Sequence, residues 1–214
     1  MYEPPLHRNE DREAILSLIR AHPLGLLISH GAQGLEANSI PFLIDPAASK
    51  FGTLQAHMAR ANGQWRSLGE ADDVLVVFQG PDHYITPAWY QTKRETGKVV
   101  PTWNYVAIHA YGRVRFFEDA HRLLALVTRL TESHEAKRAA PWAVSDAPDE
   151  FVRAQLRAIV GFTVPIARLE GKWKMSQNRN EADRAGVRDG LARESSPAND
   201  AVAAVMTPRD PAGG

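Results

Sequence analysis

The chain has 214 residues, with 25 Lys plus Arg against 25 Asp plus Glu and no cysteine. That length suits one large or two small domains with room for a core. The charge balance removes any global pull toward nucleic acid or anionic membrane, and the lack of cysteine excludes disulfides, thiolate chemistry and cysteine-ligated zinc.

In chain order, Asn9 or Asp11 caps an expected helix that runs to about Ala21, with Ile15, Leu18 and Ile19 on one face. His22-Pro23 ends it. Leu24–Ser29 reads as a short buried strand, His30–Gly34 as a turn, Leu35–Ile44 as a second strand and Phe51–His57 as a third. Met58–Leu68 reads as a short helix weakened by Gly63. Val74–Phe78 is an apolar strand, which Gln79-Gly80-Pro81-Asp82 is expected to break before His83–Ile85 resumes. Ala88–Val99 reads as a charged loop or helical turn.

Val99–Arg115 has the alternation of one long strand. One face carries Thr102, Asn104, Val106, Ile108, Ala110, Gly112 and Val114; the other carries Trp103, Tyr105, Ala107, His109, Tyr111 and Arg113. Polar Thr102 and Asn104 at the mouth of an apolar strand suit either a strand end returning to water or the grip on a flat polar ligand. Ala120–His134 follows as a helix with Leu123, Leu126, Val127 and Leu130 in an apolar stripe. Asp149–Ile159 is a further helix candidate, Val160–Glu170 a strand, and Glu181–Ala192 and Ala198–Met206 are expected helices. Pro208–Gly214 is expected to be a disordered tail. No N-terminal run has the make-up of a signal peptide and no apolar run is long enough for a bilayer, so a cytoplasmic protein without membrane contact is expected.

Short strands with helices at their margins argue for a mainly β fold with peripheral helices, an antiparallel barrel or sheet. No Gly-rich phosphate loop supports a dinucleotide fold. Three clusters could carry chemistry. Gln55–Trp65 gathers His57, Arg60, Asn62 and Gln64 where a strand is expected to meet a helix start, which suits a phosphate or an ordinary solvated helix end. Phe78–Tyr90 is rigid and rich in rings, fit to wall a planar ligand or to cover a barrel end. Lys172–Asn180 concentrates donors at Lys174, Ser176, Gln177, Asn178 and Arg179, fit for a phosphate, a polar ring edge or solvent. The eight histidines show no metal-ligand spacing, and no serine sits in a nucleophile elbow.

The order and spacing of Ala37–Pro41 (ANSIP), His57–Asn62 (HMARAN), Phe78–Tyr90, Val99–Tyr105 (VVPTWNY), His109–Val114, Ile159–Phe162 (IVGF) and Lys174–Arg179 (KMSQNR) resemble the PaiB-like family of FMN-binding negative transcriptional regulators, through to about Met206. The resemblance implies a split β-barrel of the pyridoxamine-phosphate-oxidase-like kind over residues 1–180, a helical extension over 181–207, and a homodimer with FMN in its cleft. It points to Asn38, Ser39, Ile40 and Pro41 on the second strand, and to Ala56, His57, Arg60 and Asn62 after the third. Thr102, Trp103 and Asn104 on the central strand, and Lys174, Ser176, Gln177 and Arg179 beyond it, complete the expected cofactor contacts. The chain departs from the family pattern at Gly63, Ala88 and Tyr111.

The family label implies transcriptional regulation with DNA as a partner, although the sequence shows no helix-turn-helix with a basic second helix. A flavin-dependent oxidoreductase acting on a small molecule is the alternative, and a split barrel holding another planar ligand such as haem is a third. No residue stands out as a general acid or base.

Overall fold

A computed structural model describes residues 1–31, 34–69 and 73–206. The helices are α1 (Arg12–Ala21), α2 (Gln64–Ser67), α3 (Gln91–Thr96), α4 (Ala120–Glu135), α5 (Asp149–Arg157), α6 (Glu181–Arg193) and α7 (Pro197–Met206). The strands are β1 (Leu24–Gly31), β2 (Gly34–Pro41), β3 (Leu43–Asp45), β4 (Thr53–Ala59), β5 (Asp73–Ile85), β6 (Thr102–Arg113), β7 (Arg115–Phe117) and β8 (Ile159–Lys174). They follow the order β2-β1-β5-β6-β8-β4-β3, with β7 on β8. The fold is mainly β with peripheral helices, as the alternation of short strands led us to expect.

The period-two pattern of β6 is real: Asn104, Val106, Ile108, Ala110 and Gly112 are buried, and their neighbours are more open. The strand ends at Arg113, and Arg115–Phe117 forms β7, which pairs with Gly161–Thr163 of β8. Three other expectations are corrected. The expected second strand changes partner at buried Phe42: β2 pairs with β1, whereas β3 pairs with β4. The expected helix over 58–68 shrinks to α2, because Met58 and Ala59 are held in the β4 ladder opposite Val160 and Ile159. Sheet pairing overrides a weak helical preference there. β5 runs unbroken through Gly80-Pro81, whose extended backbone is compatible with a strand wherever no ladder N–H is needed. Of the expected turn at 30–34, residues 32–33 lie outside the described residues, as does the tail at 208–214.

The chain divides into two compact units. The larger holds Arg12–Phe78 and His109–Leu169. Its core includes Phe162, which meets Phe42 edge-on at 5.8 Å and Phe116 at 5.9 Å, and the fully buried Leu54, Ala56, Val76 and Val164. α1 contributes Ile15, Leu16 and Ile19, and α4 contributes Leu123, Leu126 and Leu130. Two glycines allow close approach: a Cβ on Gly112 would lie 2.3 Å from the Pro165 carbonyl oxygen, and one on Gly161 would lie 2.4 Å from the Phe117 ring.

The smaller unit holds Met1–Asp11, Gln79–Ile108 and Glu170–Gly214. Trp89 is its pivot, stacked on His83 at 6.0 Å. Gly186 and Gly190, one turn apart on α6, let that helix settle onto Trp89; a Cβ at either would lie within 2.3 Å of it. Asn180 caps α6 by accepting from Asp183 N at 2.8 Å, and Asp183 in turn accepts from Thr92 N at 2.9 Å, which ties α3 to α6. The N-terminal segment lies along β8 through an Arg8–Lys172 bridge and an Asn9 N–H bond to the Gly171 carbonyl at 2.7 Å.

Candidate functional site

The expected site residues fall into two sets, one in each unit. In the smaller unit, β6 begins at Thr102 and β8 ends at Lys174, and the Lys174 ammonium donates to Thr102 Oγ1 and to the Trp103 carbonyl at 2.7 Å. The chain then turns through Ser176, which has a left-handed φ of 62° although it carries a side chain. That conformation costs a residue with a Cβ roughly 1–2 kcal/mol. It is held because the buried Ser176 hydroxyl donates to Asn104 Oδ1 at 2.9 Å. Asn104 is itself fully buried and places its amide N–H 3.4 Å from Met206 Sδ.

Gln177 stitches the same turn internally. Its carbonyl oxygen accepts from Met175 N at 2.7 Å and from His7 Nδ1 at 3.0 Å, and its amide donates to the Trp173 carbonyl. Burial, with help from Lys172 and Lys174, lowers the His7 pKa. Arg179 lies over the Tyr90 ring at 4.5 Å. Lys172 and Lys174 lie 5.2 and 5.8 Å from the Tyr105 ring centre. Burial chiefly, then the Lys172 and Arg179 charges, push the Lys174 pKa down. Trp103 stands 52% exposed, edge-on to Tyr84 at 6.0 Å. Three cations, a hydroxyl and a half-open indole therefore share one corner. Such a corner can hold an anion and a flat ring.

In the larger unit the expected residues make contacts within the fold. Ile40 and Ala56 are core side chains. Asn62 accepts from Gln64 N at 3.0 Å, and Asn38 donates to Gln64 Oε1 at 2.9 Å. Gln64 spends its amide on Ser29 Oγ and the Leu27 carbonyl, so this group is a buried polar brace. Arg60 is fully engaged: Nη1 bonds Glu118 at 2.6 Å, and Nε and Nη2 bond the Arg157 and Ile159 carbonyls. His57 has a pKa lowered by burial, and its Nδ1 is buried without a hydrogen-bond partner among the described residues. Ser39 and Pro41 point to the open face of β2.

Sequence reasoning did not single out Lys172, Tyr90 or Tyr105 as site residues. Lys172 had a signal, since it shares a strand face with Lys174 two residues on. Tyr90 had none beyond the ring-rich loop, because Arg179, which covers it, lies far along the chain.

A family model described as "Putative FMN-binding domain" matches residues 1–168. The chain is 30% identical to Protease synthase and sporulation protein PAI 2 of Bacillus subtilis over 206 residues, covering 96% of each chain. It is 34% identical to the protein AN0679 of Emericella nidulans over 244 aligned positions, covering 98% of this chain and 97% of that one. Among solved structures, it resembles the FAD and heme binding protein of Mycobacterium smegmatis with a TM-score of 0.60 at 14% identity, covering 84% of this chain and 78% of that one. The flavocytochrome Anf3 of Azotobacter vinelandii gives 0.57 at 13% identity, covering 83% and 74%. These likenesses place the fold with the split barrels of the pyridoxamine-phosphate-oxidase-like kind.

The strained turn yields a direct test. Ser176→Ala keeps the left-handed strain and leaves Asn104 Oδ1 buried without its donor, a loss of about 1–3 kcal/mol. Ser176→Gly loses the same bond but relieves the strain. Thermal denaturation should therefore rank the melting temperatures parent, then Ser176→Gly, then Ser176→Ala.

Proposed function

Because this chain belongs to the family of that FMN-binding domain, we propose that it holds FMN, with Lys174 and Arg179 on the phosphate and Trp103 against the flat ring. The observation that carries this reading is the smaller unit's corner, where Lys172, Lys174 and Arg179 lie over tyrosine rings, the two lysines donate to neutral oxygens, and none of the three is paired with a carboxylate among the described residues. Aromatic faces hold a cation without neutralising it. A phosphate dianion matches such a set, and Thr102 adds a hydroxyl beside it. Bound flavin would supply two-electron chemistry. What the chain's own residues supply is binding and orientation, and an oxidoreductase acting on a small molecule is the activity this favours. Arg60, spent on Glu118 and two carbonyls, serves the fold instead.

Titration calorimetry should show FMN binding at least about ten-fold tighter than riboflavin, the value of one charge-assisted contact. Lys174→Ala should erase that preference, whereas Arg60→Ala should lower the melting temperature and keep it. Equal affinity of the parent for both ligands would remove the phosphate assignment. An equal loss of both in Lys174→Ala would move that lysine to the ring edge.

A second copy of the chain is the proposed partner. β1 and β2 pair Leu24 with Pro41, Leu26 with Ser39, Ile28 with Ala37 and His30 with Leu35. This sheet face is apolar and open, with Leu24 64% and Leu35 79% exposed. An isologous pairing of two such faces buries them both. Ser39 and Pro41, expected at the cofactor, lie on this same face. Light scattering should report a dimer for the parent and a monomer for a Leu24→Asp, Leu35→Asp double variant; a parent that stays monomeric across a wide concentration range refutes the pairing.

Transcriptional regulation is the second reading, favoured by the resemblance. With 25 cations balanced by 25 anions, non-specific duplex binding should be weak and fade as salt rises. Tight binding of arbitrary duplex at physiological salt in a gel-shift titration would instead show that the Lys172–Arg179 corner outweighs the balance.

A further inference from the structure

In the larger unit, α4 and α5 form a helical excursion between β7 and β8. α4 turns Leu123, Leu126 and Leu130 into the core, and Leu124 begins a second stripe that faces α5. From α5, Val152 and Leu156 face back. Facing helices normally close such stripes to the density of the interior. Here a recess of about 460 Å³ is left between them. Its end wall is fixed: Trp142 N donates to Glu135 Oε2 at 3.1 Å and Ala143 N to Asp146 Oδ2 at 2.9 Å. Around the apolar floor stand Glu132 from α4 and Asp149 and Arg153 from α5. All three are exposed, and none is in an ion pair among the described residues.

A recess with an apolar floor and a few convergent polar groups is the common form of a small-molecule site, and this volume lies within its usual range. The charges at its rim choose the ligand. Two carboxylates call for a cation, the guanidinium for a carboxylate, and the floor for an apolar body. We propose that this recess binds an apolar α-amino acid, with its ammonium on Glu132 and Asp149, its carboxylate on Arg153 and its side chain on Leu124, Val152 and Leu156. The site is separate from the residues assigned to FMN and does not depend on that assignment.

Calorimetry on the full chain with L-phenylalanine, phenethylamine and 3-phenylpropionate tests the proposal. The amino acid should bind about ten-fold or more tightly than either single-charge analogue, since a hydrogen bond to a charged group is worth that much. Arg153→Ala should reduce L-phenylalanine to the level of the amine, and Glu132→Gln should weaken it toward that of the acid. Leu124→Trp, at a recess-lining position that is 37% exposed, should fill the recess and remove binding of all three while the melting temperature holds. No saturable binding of L-phenylalanine by the parent overturns the proposal. So does equal affinity for the three ligands, or an affinity unchanged in both charge variants.

Discussion

The amide of Asn104 is the contact on which the smaller unit's corner depends. It is fully buried at the start of β6. A buried amide left without partners costs about 1–3 kcal/mol, so it dictates what must come near. Ser176 satisfies its oxygen and Met206 meets its nitrogen, which joins β6, the turn after β8 and the end of α7 at one point. The cost of the left-handed backbone at Ser176 is of the same size as the bond it allows. Neither alone would fix the turn. Together with the Ser176 carbonyl accepting from Arg179 N and Gln177 accepting from Met175 N, they over-determine it, as strained residues at functional positions require.

Much of this fold was legible from alternation. β6 could be read because burial on one face and openness on the other repeat every second residue over its length. α4 could be read because Leu123, Leu126 and Leu130 keep the helical period, and Asp119 supplies a cap. The errors came where local punctuation was trusted over pairing. Gly80-Pro81 has the look of a turn, yet β5 continues through it. Met58 and Ala59 look helical next to α2, yet β8 claims them, and nothing near them in sequence announces Val160 and Ile159. Phe42, which lies between two strands that pair with different partners, looks like any apolar residue within one strand.

The candidate residues could be named from the sequence, but their contacts could not. The resemblance named both Arg60 and Lys174, and an arginine beside a helix start is the stronger phosphate motif on paper. The structure gives the two cations different surroundings. Glu118, 58 residues away, takes Nη1 of Arg60, and two backbone carbonyls take its other donors. Lys174 finds Thr102 across 72 residues. Both pairings are tertiary, so spacing within one segment could reveal neither.

The difference between those two cations is one of electrostatics as much as of location. Arg60 is neutralised by a carboxylate, and an incoming anion would have to displace Glu118 or share its charge. Lys172, Lys174 and Arg179 lie over tyrosine rings, whose pull on a cation is on the order of 0.5–2 kcal/mol, and the two lysines donate to the neutral oxygens of Tyr2, Thr102 and Trp103, so their charge stays in place. Lys172 and Arg179 also repel Lys174, and that repulsion acts with burial to lower its pKa. An anion bound among the three reverses the sign of that neighbourhood: it screens the mutual repulsion and holds Lys174 charged. Binding and protonation would then be linked, because an anionic ligand would relieve the crowding of positive charge there. A neutral ring system would gain only the indole face of Trp103. On the proposed reading, the corner would discriminate by charge first and by shape second.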